Sequence, residues 1–373
     1  MEPLRRAIDN TPIIDHHAHN LLRPEGLQQH QLLSITTEAA GDARAFTPST
    51  LSHIRAVKQL SDVLGCAPDW ASVERAVVEK RREPDEAWAQ RCFEGIETAL
   101  IDDGLDEEAV HPWHWHHQLT RSACRRIVRI EKVAEAILKS LLDDFADALP
   151  TPAVDNDCLA IFRLWEAKFR SAMQDATNDP DVVGFKSIIC YRTGLLVASF
   201  DRSSSAIISA MTRVLSCKLP RLEDPYLSPH FVHLAAQVIS QSPLPKPFQF
   251  HTGLGDNDIN LSLSSPSHLQ PFIRTYPKVP IVLLHASYPF TREGGYLASA
   301  YENVYLDIGE VFPLVSPDGQ EGVIRESLEL CPSEKLIWST DGHWFPETYL
   351  LAVIQVREAL KQVKLSLGIL CPS

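Results

Sequence analysis

Eight short apolar runs, each followed by polar residues and then by a helix-like segment, constrain the fold of this 373-residue chain more than any other feature. The runs are β-branched and nearly unbroken in apolar character, as expected of parallel strands buried on both faces. Strand and helix alternating eight times predict an α/β fold, a closed (β/α)8 barrel of the TIM type. The competing hypothesis, an open doubly wound sheet, is weakened because no Gly-rich phosphate loop follows the first run. The predicted strands are Pro12–Asp15, Thr98–Asp102, Arg126–Ile130, Val182–Cys190, Pro247–Phe250, Pro280–Leu284, Asn303–Ile308 and Lys335–Ser339.

The connection between the first two predicted strands, about residues 20–96, is much longer than a usual βα loop. Its segments 51–65, 69–82 and 84–96 have helical periodicity. We therefore predict a helical insertion between strands one and two that caps the mouth of the barrel.

The charge balance narrows the class of partner. The chain carries 35 basic and 48 acidic residues, a net charge of −13, which argues against nucleic acid or an anionic membrane as a partner. No apolar run is long enough to span a bilayer, no secretory signal is recognisable, and the eight cysteines are scattered without a CxxC pair. These features predict a cytoplasmic protein that acts on a small molecule. Large barrels often pair, so a homodimer is a candidate assembly.

Side chains that bind metals well come at the ends of predicted strands. His17 and His19 lie two residues apart at the end of the first strand, so they point to the same face. Alone, such a pair is also found where histidines cap strands or bond loop carbonyls. However, His251, His285 and Asp341 end or follow predicted strands five, six and eight. Because the carboxyl ends of all strands meet at one end of a barrel, the pattern predicts a divalent-metal site there.

This order of residues resembles the amidohydrolase superfamily, of the amidohydrolase-2 type, which has HxH on strand one, His on strands five and six and Asp on strand eight. The wider sequence is similar to the amidohydrolase part of FluG-type fungal proteins. In those proteins a glutamine-synthetase-like domain follows the barrel, and without it ATP-driven amide synthesis is not implied. We expect one barrel domain, residues 1–364, and a divergent C-terminal tail, residues 365–373. The similar stretches are residues 10–22, 250–261, 279–298, 303–313 and 336–349.

The resemblance implies a role for each matching residue. His17, His19, His251, His285 and Asp341 would bind one or two divalent ions, with zinc as the expected metal. Asp341 would also be the general base that takes the proton from the attacking water. With a single ion, His285 would leave the ligand set and turn to the substrate or to proton transfer.

Lys186 lies on predicted strand four, where many superfamily members carry a carbamylated lysine that bridges two metals. A free ammonium group cannot ligate a cation, so this role requires the modification. The alternative is a lysine that pairs with a pocket carboxylate or binds the substrate. The number of metal ions therefore stays open.

Side chains on the other strand-end loops are candidates for substrate binding. Arg192, next to Tyr191, could hold a substrate carboxylate through two parallel hydrogen bonds. His114 and His116 belong to an aromatic run, residues 111–117, which we expect to line the pocket rather than to bind a second metal. A charged residue on a strand-end loop is by itself more often part of a structural ion pair or cap, and Arg192 is the one that we favour as a substrate ligand. The remaining candidates are Glu131, Trp344, Asp102, Asp103 and Glu310.

Together with the resemblance, these residues predict a metal-dependent hydrolase that cleaves a C–N bond of the amide type in a small carboxylate-bearing molecule. The nucleophile would be a metal-activated water, because a divalent cation can lower the pKa of its water from about 15.7 to about 7. Two alternatives stay open. One is a decarboxylase or lyase of the same superfamily with a single metal, and the other is a regulatory barrel without catalytic activity.

Overall fold

The computed structural model describes residues 2–106, 108–144, 155–199, 203–216 and 221–367, with side chains as far as residue 363. Eight strands form one sheet in the order β1 to β8, and every neighbouring pair is parallel. Each predicted strand is found, so the (β/α)8 prediction is confirmed. The strands are β1 (Ile13–His19), β2 (Ile96–Asp102), β3 (Arg125–Arg129), β4 (Val182–Ser187), β5 (Phe248–Phe250), β6 (Ile281–Leu283), β7 (Val304–Asp307) and β8 (Leu336–Ile337).

Backbone hydrogen bonds bring the two ends of the sheet together. The N–H of His16 in β1 donates to the carbonyl oxygen of Trp338 at 3.3 Å, directly after β8. Three residues after Trp338, the N–H of Asp341 donates to the carbonyl oxygen of His17 at 3.0 Å. An open doubly wound sheet has two free edges, whereas here β1 and the segment after β8 bond to each other. The sheet is therefore a nearly closed barrel.

Helices cover the outside of the barrel and bury the outward faces of its strands. In β5, the rings of Phe248 and Phe250 have centroids 4.6 Å apart, and Phe250 contacts Phe272 of α9 at 5.3 Å. Burying one such side chain contributes about 1.5–3 kcal/mol. The helices in the described part of the chain are α1 (Glu2–Asn10), α2 (Leu51–Leu64), α3 (Trp70–Lys80), α4 (Ala87–Cys92), α5 (Ile130–Asp144), α6 (Asp155–Asn178), α7 (Ser204–Leu215), α8 (Leu227–Gln241), α9 (Gln270–Thr275), α10 (Thr291–Ala300), α11 (Val311–Leu314), α12 (Pro317–Leu330) and α13 (Pro346–Leu367).

The segment between β1 and β2 is divided between the side and the mouth of the barrel. Its helices α2 and α4 pack against α13. Two polar contacts fix them there: Arg55 pairs with Glu358 at 2.7 Å, and the indole N–H of Trp88 donates to Glu347 at 2.7 Å. The stretch before α2 consists of short 3-10 turns and brings Glu38 to the cavity at the mouth. The part of the insertion that reaches the mouth is thus narrower than the predicted cap over residues 20–96.

The last helix, α13, runs to Leu367 and so passes the predicted domain boundary at residue 364. The rest of the predicted tail, residues 368–373, lies outside the described residues. Among the described residues, no helix is both long enough and apolar enough to cross a membrane.

Candidate metal centre

Strand ends position the predicted ligands around one point. The carboxylate of Asp15 in β1 accepts a hydrogen bond from the N–H of Thr340 at 2.9 Å, which holds the segment after β8 against β1. As a result, Oδ1 of Asp341 lies 3.4 Å from Nε2 of His17 and 3.4 Å from Nε2 of His19.

The two histidines from β5 and β6 complete the group. The imidazole rings of His251 and His285 have centroids 4.3 Å apart, and those of His285 and His17 are 5.8 Å apart. All of these rings are buried, as the closely packed carboxyl end of the barrel requires. The structure therefore brings together the four histidines and the aspartate that the sequence pattern singles out.

Three of the imidazoles are oriented by a hydrogen bond from one ring nitrogen. Nδ1 of His17 donates to Oε1 of Gln249 at 2.9 Å, and Nδ1 of His19 donates to the carbonyl oxygen of Asp102 at 2.9 Å. Nε2 of His251 donates to the carbonyl oxygen of Leu254 at 2.6 Å. In each ring the other nitrogen then carries the lone pair, which is the arrangement of metal-binding histidines.

The electrostatic environment keeps the imidazoles of His17, His251 and His285 neutral. Burial, together with the charge of Lys186, holds the pKa of His17 well below its usual value and lowers the pKa of His251 to about 3. Burial and the neighbouring His251 likewise hold the pKa of His285 well below its usual value. A neutral imidazole is the form that binds a metal ion.

Asp341 is ionised in the same surroundings. Burial raises the pKa of this carboxyl group, but His19, His343 and Lys186 outweigh burial, so its pKa lies below the usual value. The site thus combines neutral imidazole nitrogens with a negative oxygen, which is a suitable donor set for zinc.

The backbone is unusual at the same strand ends. His285, Glu310 and Asp341 have φ values of 67°, 56° and 51°, in the left-handed region that non-glycine residues rarely adopt. Such conformations cost free energy and cluster at functional sites, where the surrounding structure fixes them. Here each one belongs to a residue with a ligand-type side chain at this centre, and we call these residues together with His17, His19 and His251 the metal-type cluster.

The fit to a metal can be judged from buried polar atoms. Both ring nitrogens of His285, Oδ1 of Asp341 and Oε2 of Glu310 are buried and make no hydrogen bond within the described residues. Ligand atoms of His17, His285 and Asp341 lie within 4.8 Å of one another, as do those of His251, His285 and Glu310. Leaving such groups unsatisfied costs about 1–3 kcal/mol each, so the residues present fit a divalent cation.

Lys186 lies beside this cluster. It is fully buried, and its Nζ is 3.2 Å from Nε2 of His17. Burial lowers the pKa of the ammonium group to about 8, although Asp102 and Asp341 counteract that effect. Within the described residues no carboxylate oxygen lies within 4.0 Å of Nζ, so the predicted alternative of a direct ion pair is not what the structure shows.

A cavity of about 340 Å³ opens above the cluster. Of the predicted substrate-binding residues, Tyr191, Arg192 and Trp344 line it. Arg192 is half-buried, and its Nε has no hydrogen-bond partner within the described residues. The indole N–H of Trp344 donates to Asp106 at 2.8 Å, which fixes that wall.

Three predicted substrate-binding residues, His114, His116 and Glu131, do not line this cavity, and a substrate-binding role for them stays a prediction. His114 is exposed and contacts the edge of Trp113. His116 is buried, and its Nε2 accepts the backbone N–H of Leu21 at 3.0 Å. Glu131 is buried, and its Oε1 accepts the hydroxyl of Ser187 at 2.6 Å and the N–H of Ile188 at 3.0 Å. Burial raises the pKa of Glu131 to about 7.

The structure adds residues that the sequence analysis did not select. Gln249 orients His17, and its only sequence signal is one polar residue within the apolar run PFQF. Arg129 pairs with the buried carboxylate of Asp102 at 2.7 Å, a contact between two strands that no spacing reveals. Glu38 reaches the cavity from an irregular stretch without a motif. The other cavity-lining residues outside the prediction include His30, Arg221, Asp256, Asp258 and His343.

A closed barrel that gathers histidines and an aspartate at the carboxyl ends of β1, β5, β6 and β8 has the architecture of the amidohydrolase superfamily. Residues 244–368 match the family described as amidohydrolase. Over 97% of its length the chain is 45% identical to protein fluG of Emericella nidulans, and it spans 43% of that relative. The match to the amidohydrolase family thus covers residues 244–368, and the similarity to protein fluG covers almost the whole chain.

Two solved structures share the fold of this chain. A proposed metal-dependent hydrolase from Lactobacillus casei is 26% identical to this chain, with a TM-score of 0.78 over 99% of this chain and 92% of that one. Uronate isomerase from Thermotoga maritima, 13% identical with a TM-score of 0.59 over 98% and 91% of the two chains, shares the fold. The barrel is thus of the kind found in metal-dependent hydrolases.

Proposed function

We propose that this protein is a metal-dependent hydrolase that cleaves a C–N bond of the amide type in a small molecule bearing a carboxylate. The observation that carries the proposal is the position of Asp341. Its Oδ1 lies 3.4 Å from the Nε2 atoms of both His17 and His19, while Gln249 and the carbonyl oxygen of Asp102 hold the opposite sides of the two rings.

His17, His19 and Asp341 are the residues that would hold the metal, and zinc suits their nitrogen and oxygen atoms. A divalent cation bound there would increase the acidity of a water molecule and polarise the carbonyl group of the substrate. The nearby imidazoles stay neutral, because burial holds the pKa of His17 and that of His285 well below the usual value.

Asp341 would be the residue that moves the proton. Its carboxylate is ionised, because His19, His343 and Lys186 together outweigh the effect of burial on its pKa. Oδ1 can accept the proton of the attacking water and then deliver it to the nitrogen that leaves. A carboxylate in this role contributes about 10²–10⁴-fold to the rate.

Two arginines support a substrate with a carboxylate. Arg192 and Arg221 line the same cavity as Asp341, and Nε of Arg192 lacks a hydrogen-bond partner within the described residues. Arg221 already forms an ion pair with Asp258 at 2.8 Å, so Arg192 is the better hydrogen-bond donor for a ligand. A guanidinium group binds a carboxylate through two parallel hydrogen bonds. Tyr191 and Trp344 would enclose the rest of the molecule.

The test is turnover of a panel of small amides, each with and without a carboxylate, by zinc-loaded protein. We expect release of amine from carboxylate-bearing members and a fall in kcat of about 10²–10⁴-fold for Asp341→Asn. The exposed Asp318→Asn, at the start of α12, is the matched control and should keep full activity. Amine release that is unaffected by Asp341→Asn, or release of CO₂ instead of amine, would contradict the proposal.

A further inference from the structure

A second cavity, of about 380 Å³, lies beside the cavity above the metal-type cluster. It is lined by residues that follow β1 and β2, by β3 and by the first turns of α5, and we call it the β3 cavity. In the described part of the chain, no member of the metal-type cluster lines it. The two cavities share one lining residue, Arg129 at the end of β3. The charged residues that line the β3 cavity are Arg23, Asp103, Arg126, Arg129 and Lys132.

The β3 cavity is basic, although the chain as a whole carries a net charge of −13. Arg126 pairs with the one carboxylate among the charged lining residues, that of Asp103, at 2.8 Å. Nζ of Lys132 is 3.8 Å from the carboxylate of Glu135, which is too long for a hydrogen bond. Arg23 makes no ion pair and no side-chain hydrogen bond within the described residues. The excess of cations therefore favours an anion as the ligand.

Arg129 has an unused donor at the boundary between the two cavities. The residue is 7% exposed, and its Nε and Nη2 both donate to Oδ2 of Asp102, at 3.1 and 2.7 Å. Its Nη1 makes no hydrogen bond to any described residue. Because a guanidinium group carries five N–H donors, Arg129 can bind an anionic oxygen and keep its pair with Asp102.

A buried amide shows what the ligand needs besides charge. Asn20, directly after β1, is 1% exposed and lines the β3 cavity. Its Nδ2 donates to the carbonyl oxygen of His111 at 2.7 Å, whereas its Oδ1 is buried and accepts no hydrogen bond within the described residues. An amide oxygen can only accept, and an ionised carboxylate cannot donate to it. The amide therefore favours a ligand that carries a hydroxyl group as well as an anionic group.

We propose that the β3 cavity binds a small organic anion with at least one hydroxyl group. Arg23, Arg126 and Lys132 contact its anionic oxygens, and Oδ1 of Asn20 accepts its hydroxyl hydrogen. A volume of about 380 Å³ suits an organic molecule better than a bare inorganic ion. Carboxylate and phosphate groups both offer the anionic oxygens that these side chains bind. The site is independent of the proposed reaction, because neither the metal-type cluster nor Arg192 contributes to it.

Isothermal titration calorimetry of the full, zinc-loaded chain tests the site with three probes: L-malate, succinate and glycerol 3-phosphate. Malate and succinate differ by one hydroxyl group, and glycerol 3-phosphate offers a phosphate in place of the carboxylates. We expect malate or glycerol 3-phosphate to bind, and the tighter of the two identifies the anionic group. That probe should lose about 2–10-fold in affinity in Asn20→Ala, since one hydrogen bond contributes about this factor, whereas succinate should not change.

Charge variants locate the bound anion. Arg126→Gln combined with Lys132→Gln should weaken binding of the tighter probe at least about tenfold, because hydrogen bonds from charged donors are lost. The matched control is Lys139→Gln, which removes an exposed charge from the same helix outside the cavity and should leave the affinity unchanged. Arg192→Gln detects binding in the cavity above the metal-type cluster, and affinity for the β3 cavity should survive this change.

Two results would overturn the inference directly. One is no binding of malate or glycerol 3-phosphate at millimolar concentration, and the other is binding that is lost in Arg192→Gln but kept in the double variant. Succinate that binds as tightly as both hydroxylated probes would overturn the stated class of ligand. Thermal unfolding checks that the variants fold. If the double variant does not fold, Arg23→Gln has no ion pair to lose and should weaken binding about two- to fivefold; unchanged affinity would then overturn the inference.

Discussion

Two regions of the molecule are rich in histidine, and they use it differently. At the strand ends, His17, His19 and His251 each donate from one ring nitrogen and turn the other toward the cluster, where Nε2 of His17 also contacts Nζ of Lys186 at 3.2 Å. In the aromatic run, residues 111–117, His116 and His117 instead accept backbone N–H groups at 3.0 and 3.1 Å. No metal-type group within the described residues includes a histidine of that run.

The difference shows that the partner of each ring nitrogen, rather than the number of histidines, decides what the region can do. His111 stacks on Trp115 with centroids 3.8 Å apart, and burial lowers the pKa of His116 to about 4. The imidazole of His116 is neutral too, but both of its ring nitrogens bond to backbone groups of the fold. Neutral histidines become candidate ligands only where strand ends aim several unused nitrogens at one place.

The largest effect on the free energy of unfolding is expected at Asp102, which contacts His19 through its carbonyl oxygen and Arg129 through its carboxylate. Asp102→Asn removes the buried partner of Arg129, and an unpaired buried charge costs about 3–5 kcal/mol. Urea unfolding should show that loss. The neighbouring Asp103→Asn is the control, because its pair with Arg126 is partly exposed and should contribute only about 0–1 kcal/mol. Equal effects of the two variants would contradict this account.

A smaller effect is expected in the aromatic run. His116→Ala leaves the N–H of Leu21 without its acceptor and should lower the free energy of unfolding by about 1–3 kcal/mol. Zinc content should stay at the wild-type level, since the side chain does not line the cavity. Loss of zinc in a folded His116→Ala protein would break the distinction between the two regions.

The fold was predictable from the sequence because parallel strands buried on both faces leave a local signal. Runs such as PIVLL and RIVRI appear as β6 and β3 within a few residues of their predicted bounds. The insertion was harder, because periodicity identifies a helix but not its packing partner. Whether α2 lies over the mouth or against α13 depends on contacts such as Arg55 with Glu358, which are 303 residues apart.

The residues of the candidate site also fall into those that the sequence pattern identifies and those that depend on distant contacts. His17, His19, His251, His285 and Asp341 were selected because strand ends place them together whatever the loops do. His114 and His116 do not line the cavity, because proximity to a strand end does not determine which way a loop turns. The roles of Gln249 and Glu310 depend on contacts with residues that follow or belong to other strands, and the sequence does not show those contacts.

The most direct test of the central claim, that the strand-end histidines hold a metal, is the metal content of purified wild type, His17→Ala and His116→Ala, measured side by side by plasma mass spectrometry. This account predicts at least about one equivalent of zinc or a similar divalent ion in the wild type and in His116→Ala, and its loss in His17→Ala. No metal in the wild type after addition of zinc, or full retention in His17→Ala, would contradict it.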